Sequence, residues 1–187
     1  MKVVSPEGKL QPPGQIGELW SKSPSNAIGY LNNEKSSRET FDDEGYVHTG
    51  DEAYIDKDGW VFVVDRIKEL IKVKGSQVAP AELEGHLLDH NDISDVCVIG
   101  IPDEYAGERP KAYVALRDEV AKAVKEDKQK AKAVEDSIKR FVADHKIDYK
   151  HLAEIEFIDA IPKTASGKLL RKDLRAMHAA KQKKSKL

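Results

Sequence analysis

The chain has 187 residues, with 31 Lys plus Arg against 33 Asp plus Glu and a formal net charge of −2. That length suits one domain or one and a part, and the near-balance of charge argues against polyanion binding as the main role. No run approaches the about 18 apolar residues of a membrane span, Met1–Leu10 has no apolar signal core, and the lone cysteine, Cys97, excludes an internal disulfide or a multi-cysteine zinc site. A reducing compartment fits.

Residues 1–64 read as β-rich and turn-rich. Short apolar pieces (Val3-Val4, Ile16 to Trp20, Tyr46-Val47, Trp60 to Val64) are separated by Pro12-Pro13-Gly14, Asp42-Asp43-Glu44-Gly45 and Asp56-Lys57-Asp58-Gly59. Such clusters punctuate strands, because glycine supplies positive φ and aspartate bonds its own backbone. Asn33 to Phe41 is the helical piece of this stretch. Trp60 to Val64 is the strongest strand, and its unbroken apolarity predicts burial on both faces. Beyond Asp65–Lys68 the pattern changes. Leu70 to Val73 predicts a strand, and Pro80 opens a helix whose apolar face is Leu83, Leu87 and Leu88. Val96 to Ile101 and Tyr113 to Leu116 predict strands. Val134, Ile138, Phe141 and Val142 fall at helical spacing on one long charged helix from about Lys122 to Asp144. Ile155 to Ile158 predicts a further strand and Lys172 to Lys181 a last helix. Alternating strands and helices make the second part α+β or α/β. Glu119 to Lys132, poor in residue types, reads as a solvated helix face.

Chemistry concentrates in three stretches. In Gly45-Tyr-Val-His-Thr-Gly-Asp51 an aspartate follows a Thr-Gly turn. Its carboxylate can accept two hydrogen bonds from vicinal ribose hydroxyls, and a plain Asx turn is the competing reading. In Asp65-Arg-Ile-Lys-Glu-Leu-Ile-Lys-Val-Lys-Gly75 the cations Arg66, Lys68, Lys72 and Lys74 stand among apolar residues beside a tight glycine turn. They suit a polyphosphate, or else an amphipathic edge strand protected by lysines. In Ile161-Pro-Lys-Thr-Ala-Ser-Gly-Lys168-Leu the ending is P-loop-like, but Pro162 and Leu169 break the phosphate-loop pattern. A lysine on a flexible loop can still be delivered to an anion, against the reading of a solvated loop. His86 and His90 share a helix face, but Leu87 breaks the zinc-protease pattern and no third ligand is evident, so no metal site is expected. Cys97 belongs to an apolar strand and reads as core. The basic end from Lys181 is weak evidence for RNA or lipid. Its last residues, Ser185-Lys186-Leu187, form a peroxisomal import address when they are the free C-terminus.

In order and spacing, the stretches ending at Asp51, running from Asp65 to Glu84 (Gly-Ser-Gln-Val-Ala-Pro-Ala-Glu-Leu-Glu), and spanning Ile161 to Arg175 resemble the C-terminal signature motifs of adenylate-forming acyl-CoA synthetases. The branch resembled is that of coumarate ligases and luciferases, over essentially the whole chain. The resemblance implies an α+β fold: residues 1–65 as a β-rich end of the large AMP-binding N-terminal domain, 66–184 as the mobile α/β C-terminal domain, and 185–187 as the targeting tripeptide.

It further implies a two-step ligase. A carboxylate attacks the α-phosphate of ATP to give acyl-AMP and pyrophosphate, and the CoA thiol then displaces AMP. By position, Asp51 matches the carboxylate that holds the AMP ribose and Arg66 a second ribose contact. Lys68 matches the hinge about which the C-terminal domain turns between half-reactions. Lys168 matches the lysine that meets the carboxylate and α-phosphate. Lys72 and Gln77 match residues serving adenylate or thioester formation, and Gly75 the glycine lining the CoA channel. Val73 and Ser76 depart from the aromatic residues many relatives carry beside that glycine. The implied small molecules are a carboxylic acid, ATP/AMP and CoA, with Mg2+ accompanying ATP and held mainly by the N-terminal region. Implied partners are the peroxisomal import receptor and an N-terminal domain in trans, with no nucleic acid and no membrane span. The Ser/Thr/Gly-rich phosphate loop and acyl pocket of the family are not among these residues. The expectation is therefore a piece of a longer ligase that does not form acyl-AMP alone, and the alternative is a non-catalytic binding or regulatory module. Luciferase-like oxidation of an adenylate shares every motif but needs a pocket outside this sequence.

Overall fold

A computed structural model describes residues 1–185, and the chain divides into two compact units, Met1–Lys68 and Glu69–Leu187. The first unit is an antiparallel sheet of β1 (Lys2–Val4), β2 (Gly17–Ser21), β3 (Val47–Ile55) and β4 (Val61–Arg66), in that spatial order. Helix α1 (Glu34–Thr40) lies between β2 and β3 in sequence, and the Asn33 side chain caps it by accepting from the Ser36 amide. The turn joining β3 to β4 is built by Asp56, whose Oδ1 accepts from the amides of Asp58 and Trp60 at 2.9 and 2.8 Å. The core of this unit is small: Val3, Leu19 and Ala53, with Ile55 against them.

The strand predicted to be buried on both faces is not. Trp60 is 70% exposed and Val63 59%, and Val61 and Phe62 are exposed as well. β4 is the edge of its sheet, pairing with β3 alone. Tyr54 and Phe62 stack at 4.8 Å across that pair, which is cross-strand contact rather than cover by a second layer.

The second unit begins with a tight hairpin, β5 (Ile71–Val73) and β6 (Ser76–Val78), in which Val73 pairs with Ser76. Its two-residue turn, Lys74-Gly75, has φ of +48° and +81°. Positive φ at both positions matches the right-handed twist of the strands. Helix α2 (Pro80–Leu88) follows, then the long antiparallel pair β7 (Ile93–Asp103) and β8 (Gly107–Leu116). After helices α3 (Asp118–Glu126) and α4 (Lys128–Ala143) and a 3-10 turn at Asp148–Lys150, β9 (Glu154–Phe157) pairs parallel to β8. Helix α5 (Arg171–Ser185) closes the described chain. The sheet order is β6-β5-β8-β7, with β9 on β8. One core joins Val96, Val98, Ala112 and Val114 to Leu83 and Leu87 of α2 and Ile138 and Val142 of α4. A second joins Cys97, Ile99, Ile101, Tyr113 and Ala115 to Ile161 and Leu174 of the α5 side. Successive β7 residues thus feed opposite cores, which is why Val96 to Ile101 is apolar without alternation.

Two helix expectations change. The predicted helix from Lys122 to Asp144 is two helices, because Asp127 is extended (φ −136°, ψ 112°) and its carboxylate accepts from the amides of Gln129 and Lys130. An aspartate that bonds the next turn's amides starts a helix rather than continuing one. On α2, Leu83 and Leu87 are buried, but Leu88 is 48% exposed, being a step of about 100° beyond the Leu83–Leu87 stripe.

Candidate active-site elements

Asp51 does not sit in a turn. It belongs to β3, where Gly50 (φ +70°) bends the strand. The Asp51 amide donates to Thr49 Oγ1 at 3.1 Å, while that hydroxyl donates to the Leu19 carbonyl at 2.8 Å. Ile67 N donates to the Gly50 carbonyl, and Gly50 N donates to Glu18 Oε1. Asp51 is the direct cross-strand partner of Arg66 on β4, and Arg66 Nε lies 2.7 Å from Asp51 Oδ1. The structure therefore brings the two expected ribose contacts together as one ion pair, with Arg66 mostly exposed. Lys68, the expected hinge, is the last residue of the first unit.

Lys72, Gly75 and Gln77 share the β5–β6 hairpin. Lys72 and Gln77 are direct partners, so their side chains leave the same face, and both are exposed while Ile71, Val73 and Val78 are buried. The Lys72 amide donates to Glu108 Oε2 at 2.9 Å. Lys74 Nζ lies over the Tyr105 ring, 4.3 Å from its centroid. Val73 points into the core, so the side chains flanking Gly75 are those of Lys74 and Ser76.

Lys168 is exposed, and its loop is a hydrogen-bonded hairpin. Lys163 bridges Leu169. Thr164 N donates to the Lys168 carbonyl, Gly167 N to the Thr164 carbonyl and Leu170 N to the Pro162 carbonyl, each at 2.9 Å. Thr164 Oγ1 also accepts from the Lys168 amide at 3.1 Å. Gly167, at φ +84°, provides the left-handed residue of the turn.

His86 and His90 both pack on Phe141. His86 stacks at 4.5 Å with its Nε2 3.2 Å from the Phe141 carbonyl, and His90 meets the ring edge-on while its Nε2 is 3.2 Å from Ser137 Oγ. Cys97 is fully buried, and burial first, then the Glu84 charge, pushes its thiol up to about 12. Ser185 ends α5, while Lys186 and Leu187 lie outside the described residues.

Sequence reasoning did not find the carboxylates that organise the second unit. Glu84, inside the second motif, is buried. It accepts from the Val98 amide at 2.8 Å and pairs with Arg171 at 2.6 Å. Glu69 pairs with Arg175. Lys111, 4% exposed in the middle of β8, pairs with Glu154 at 3.0 Å and Glu156 at 3.1 Å and donates to His178 Nδ1 at 3.1 Å. The one sequence signal for Lys111 is a cation directly before the apolar run Ala112–Leu116.

Residues 82–168 match the AMP-binding enzyme C-terminal domain family. The chain is 47% identical over 181 residues to "4-coumarate--CoA ligase 1" of Glycine max, covering 96% of this chain and 58% of that protein. It is 47% identical over 174 residues to "Peroxisomal OPC-8:0-CoA ligase 1" of Arabidopsis thaliana, covering 92% of this chain and 30% of that one. The solved structure of the ATP-bound RpMatB-BxBclM chimera B1 superposes with a TM-score of 0.85 at 30% identity, over 95% of this chain and 34% of that one. Over nearly its whole length the chain is thus similar to the C-terminal part of adenylate-forming enzymes, whose C-terminal domain family matches residues 82–168. Several of the relatives it resembles at 46–47% identity are 4-coumarate–CoA ligases. It spans 30% and 58% of the length of the Arabidopsis and Glycine max relatives.

Proposed function

We propose that this chain supplies the C-terminal half of the active site of an ATP-dependent carboxylate–CoA ligase. The acid and ATP give acyl-AMP and pyrophosphate, and acyl-AMP and CoA then give acyl-CoA and AMP. The observation that carries the reading is Lys168 held at the exposed tip of an ordered hairpin, in a chain 47% identical to CoA ligases over nearly its whole length.

Adenylation joins two anions and builds charge on the α-phosphoryl oxygens. Lys168 neutralises that charge, and removing such a donor typically costs roughly 10²–10³ in rate. Asp51 accepts from the vicinal ribose hydroxyls while Arg66 fixes its orientation and directs further N–H donors to the sugar. In the second half-reaction the chain turns about Lys68, and the β5–β6 hairpin faces the acyl-adenylate. Gly75, with no Cβ, lets backbone lie along the CoA thiol arm, and Lys72 and Gln77 flank the reacting ester. Mg2+ accompanies ATP in such reactions. Among the described residues no group of three or more His, Cys, Asp or Glu side chains is placed to hold a metal, so no step here passes through it. The phosphate loop and acyl pocket are left to the N-terminal region of the ligase, which makes the isolated chain inactive in adenylation. Ser185-Lys186-Leu187 is a peroxisomal import address wherever Leu187 is the free C-terminus, in keeping with the name of the Arabidopsis relative.

The test is carboxylate-dependent ATP–pyrophosphate exchange, by the chain alone and by the chain combined with the N-terminal region of the Glycine max ligase. Exchange only in the combined sample, lost in Lys168→Ala, is the expected result. Exchange by the chain alone overturns the division of labour. No exchange in either sample, with the chain still binding a ligase, favours a non-catalytic module.

A further inference from the structure

The hairpin of Lys168 has two arms, and each ends in an ion pair to the body of the second unit. On the first arm, Lys163 Nζ lies 2.6 Å from Asp95 Oδ2. On the second, Arg171 Nη2 lies 2.6 Å from Glu84 Oε2. Both carboxylates use their remaining oxygen in the same way. Asp95 Oδ1 accepts from the Val96 amide at 3.0 Å, and Glu84 Oε1 accepts from the Val98 amide at 2.8 Å. Each carboxylate therefore holds a β7 backbone amide with one oxygen and a cation of the hairpin with the other. Ile161 and Leu174, buried beyond the two arms, complete the anchorage. Between the anchors, residues 165–168 are exposed.

We infer that Asp95 and Glu84 are positioning residues for Lys168, fixing its hairpin to β7 so that the lysine is delivered by movement of the whole unit rather than by movement of a loose loop. The inference rests on the assignment of Lys168 to adenylation. Its physical basis is that a charge-assisted pair largely removed from water, as Arg171–Glu84 is, resists breaking, with the more open Lys163–Asp95 pair adding a second tether, and that a misplacement of about 1 Å at a reacting group can cost roughly 10²-fold in rate.

The test uses the full chain with Asp95→Asn, Glu84→Gln and Lys163→Gln. The first two keep an acceptor oxygen for the β7 amide, and the third removes an exposed cation, so at least one fold-neutral probe remains. Amide hydrogen exchange at Thr164, Gly167 and Leu170 is expected to quicken about tenfold or more, with β7 amides unchanged. In the sample combined with the N-terminal region, adenylate formation is expected to fall roughly 10–100-fold, while thioester formation from supplied acyl-adenylate holds. Unchanged exchange in the hairpin overturns the inference, and so does an equal fall in both half-reactions, which marks a merely structural role. If Lys168→Ala leaves adenylation intact, the assignment of Lys168 fails instead, and the exchange data still decide whether the hairpin is pinned.

Discussion

Arg66 Nε and Asp51 Oδ1 lie 2.7 Å apart between direct partners on β4 and β3. The pair is largely open to solvent on its arginine side, so it contributes little to folding. In the proposed function its value lies in presenting a carboxylate with one oxygen already oriented. Asp51→Ala is therefore expected to weaken AMP binding about 10–100-fold, the scale of losing hydrogen bonds to a charged group, while moving the unfolding midpoint little. Calorimetric titration with AMP and a denaturant melt on the same sample check both. A large loss of stability with unchanged affinity would make the pair structural.

In the proposed function the Lys74-Gly75 turn serves thioester formation alone, so a change there should separate the two half-reactions. A Cβ at Gly75 meets nothing within 4 Å, but φ there is +81°. Gly75→Ala is expected to cost about 1–2 kcal/mol of stability through backbone strain alone. It should slow thioester formation, where the added methyl meets the CoA arm, and leave adenylate formation near its original rate. Single-turnover assays of each step with the combined protein check this.

Asp127 offers a test without any ligand. Its carboxylate accepts from Gln129 N at 2.7 Å and Lys130 N at 3.3 Å. Asp127→Ala is expected to cost about 1 kcal/mol, the usual worth of such a cap, with Asp127→Asn costing much less. Urea melts of the three proteins distinguish the capped pair of helices from a single continuous one, for which Asp127→Ala would be neutral or stabilising.

What was legible in the sequence depended on range. Val96 to Ile101 announced a strand because its residue types favour one whatever lies beside it, and Pro80 announced a helix start through its own geometry. Asp127 was hidden among Lys, Ala and Glu, all good helix formers, so its capping role depends on position rather than type. Trp60 to Val64 announced apolarity, but apolarity does not say which element covers it. Within the candidate site, Asp51 and Arg66 were each legible while their bond was not, because it depends on a register that shifts at Glu52/Ala53. Glu84 reaches Arg171 and Asp95 reaches Lys163 across most of the second unit, a distance no local pattern spans.

The buried group around His178 predicts a specific pH dependence. Burial, then the neighbouring Lys111 charge, holds the imidazole below its ordinary 6.5, outweighing Glu154 and Glu156, and Lys181 adds to the lowering. Lys111 Nζ donates to His178 Nδ1, so the ring is neutral with its proton on Nε2. Above pH 6.5 the imidazole is neutral folded or unfolded, and the contribution is complete. As pH falls through 6.5 the unfolded chain gains a proton that the folded chain refuses, and stability declines until the folded value is reached. A second decline follows at lower pH. Burial alone would raise the Glu156 carboxyl, but Lys181 and Lys111 outweigh it and hold it below its ordinary 4.5, so its stabilisation fades as pH drops beneath that value. His178→Gln is expected to flatten the first slope and spare the second, and Glu156→Gln the reverse. Denaturant midpoints from pH 8 down to about pH 2.5 check the pair, the difference between variant and parent removing the other titrating groups from the comparison. A first slope unchanged in His178→Gln would mean that the imidazole titrates alike in the folded and unfolded chain, so that neither burial nor Lys111 holds it neutral.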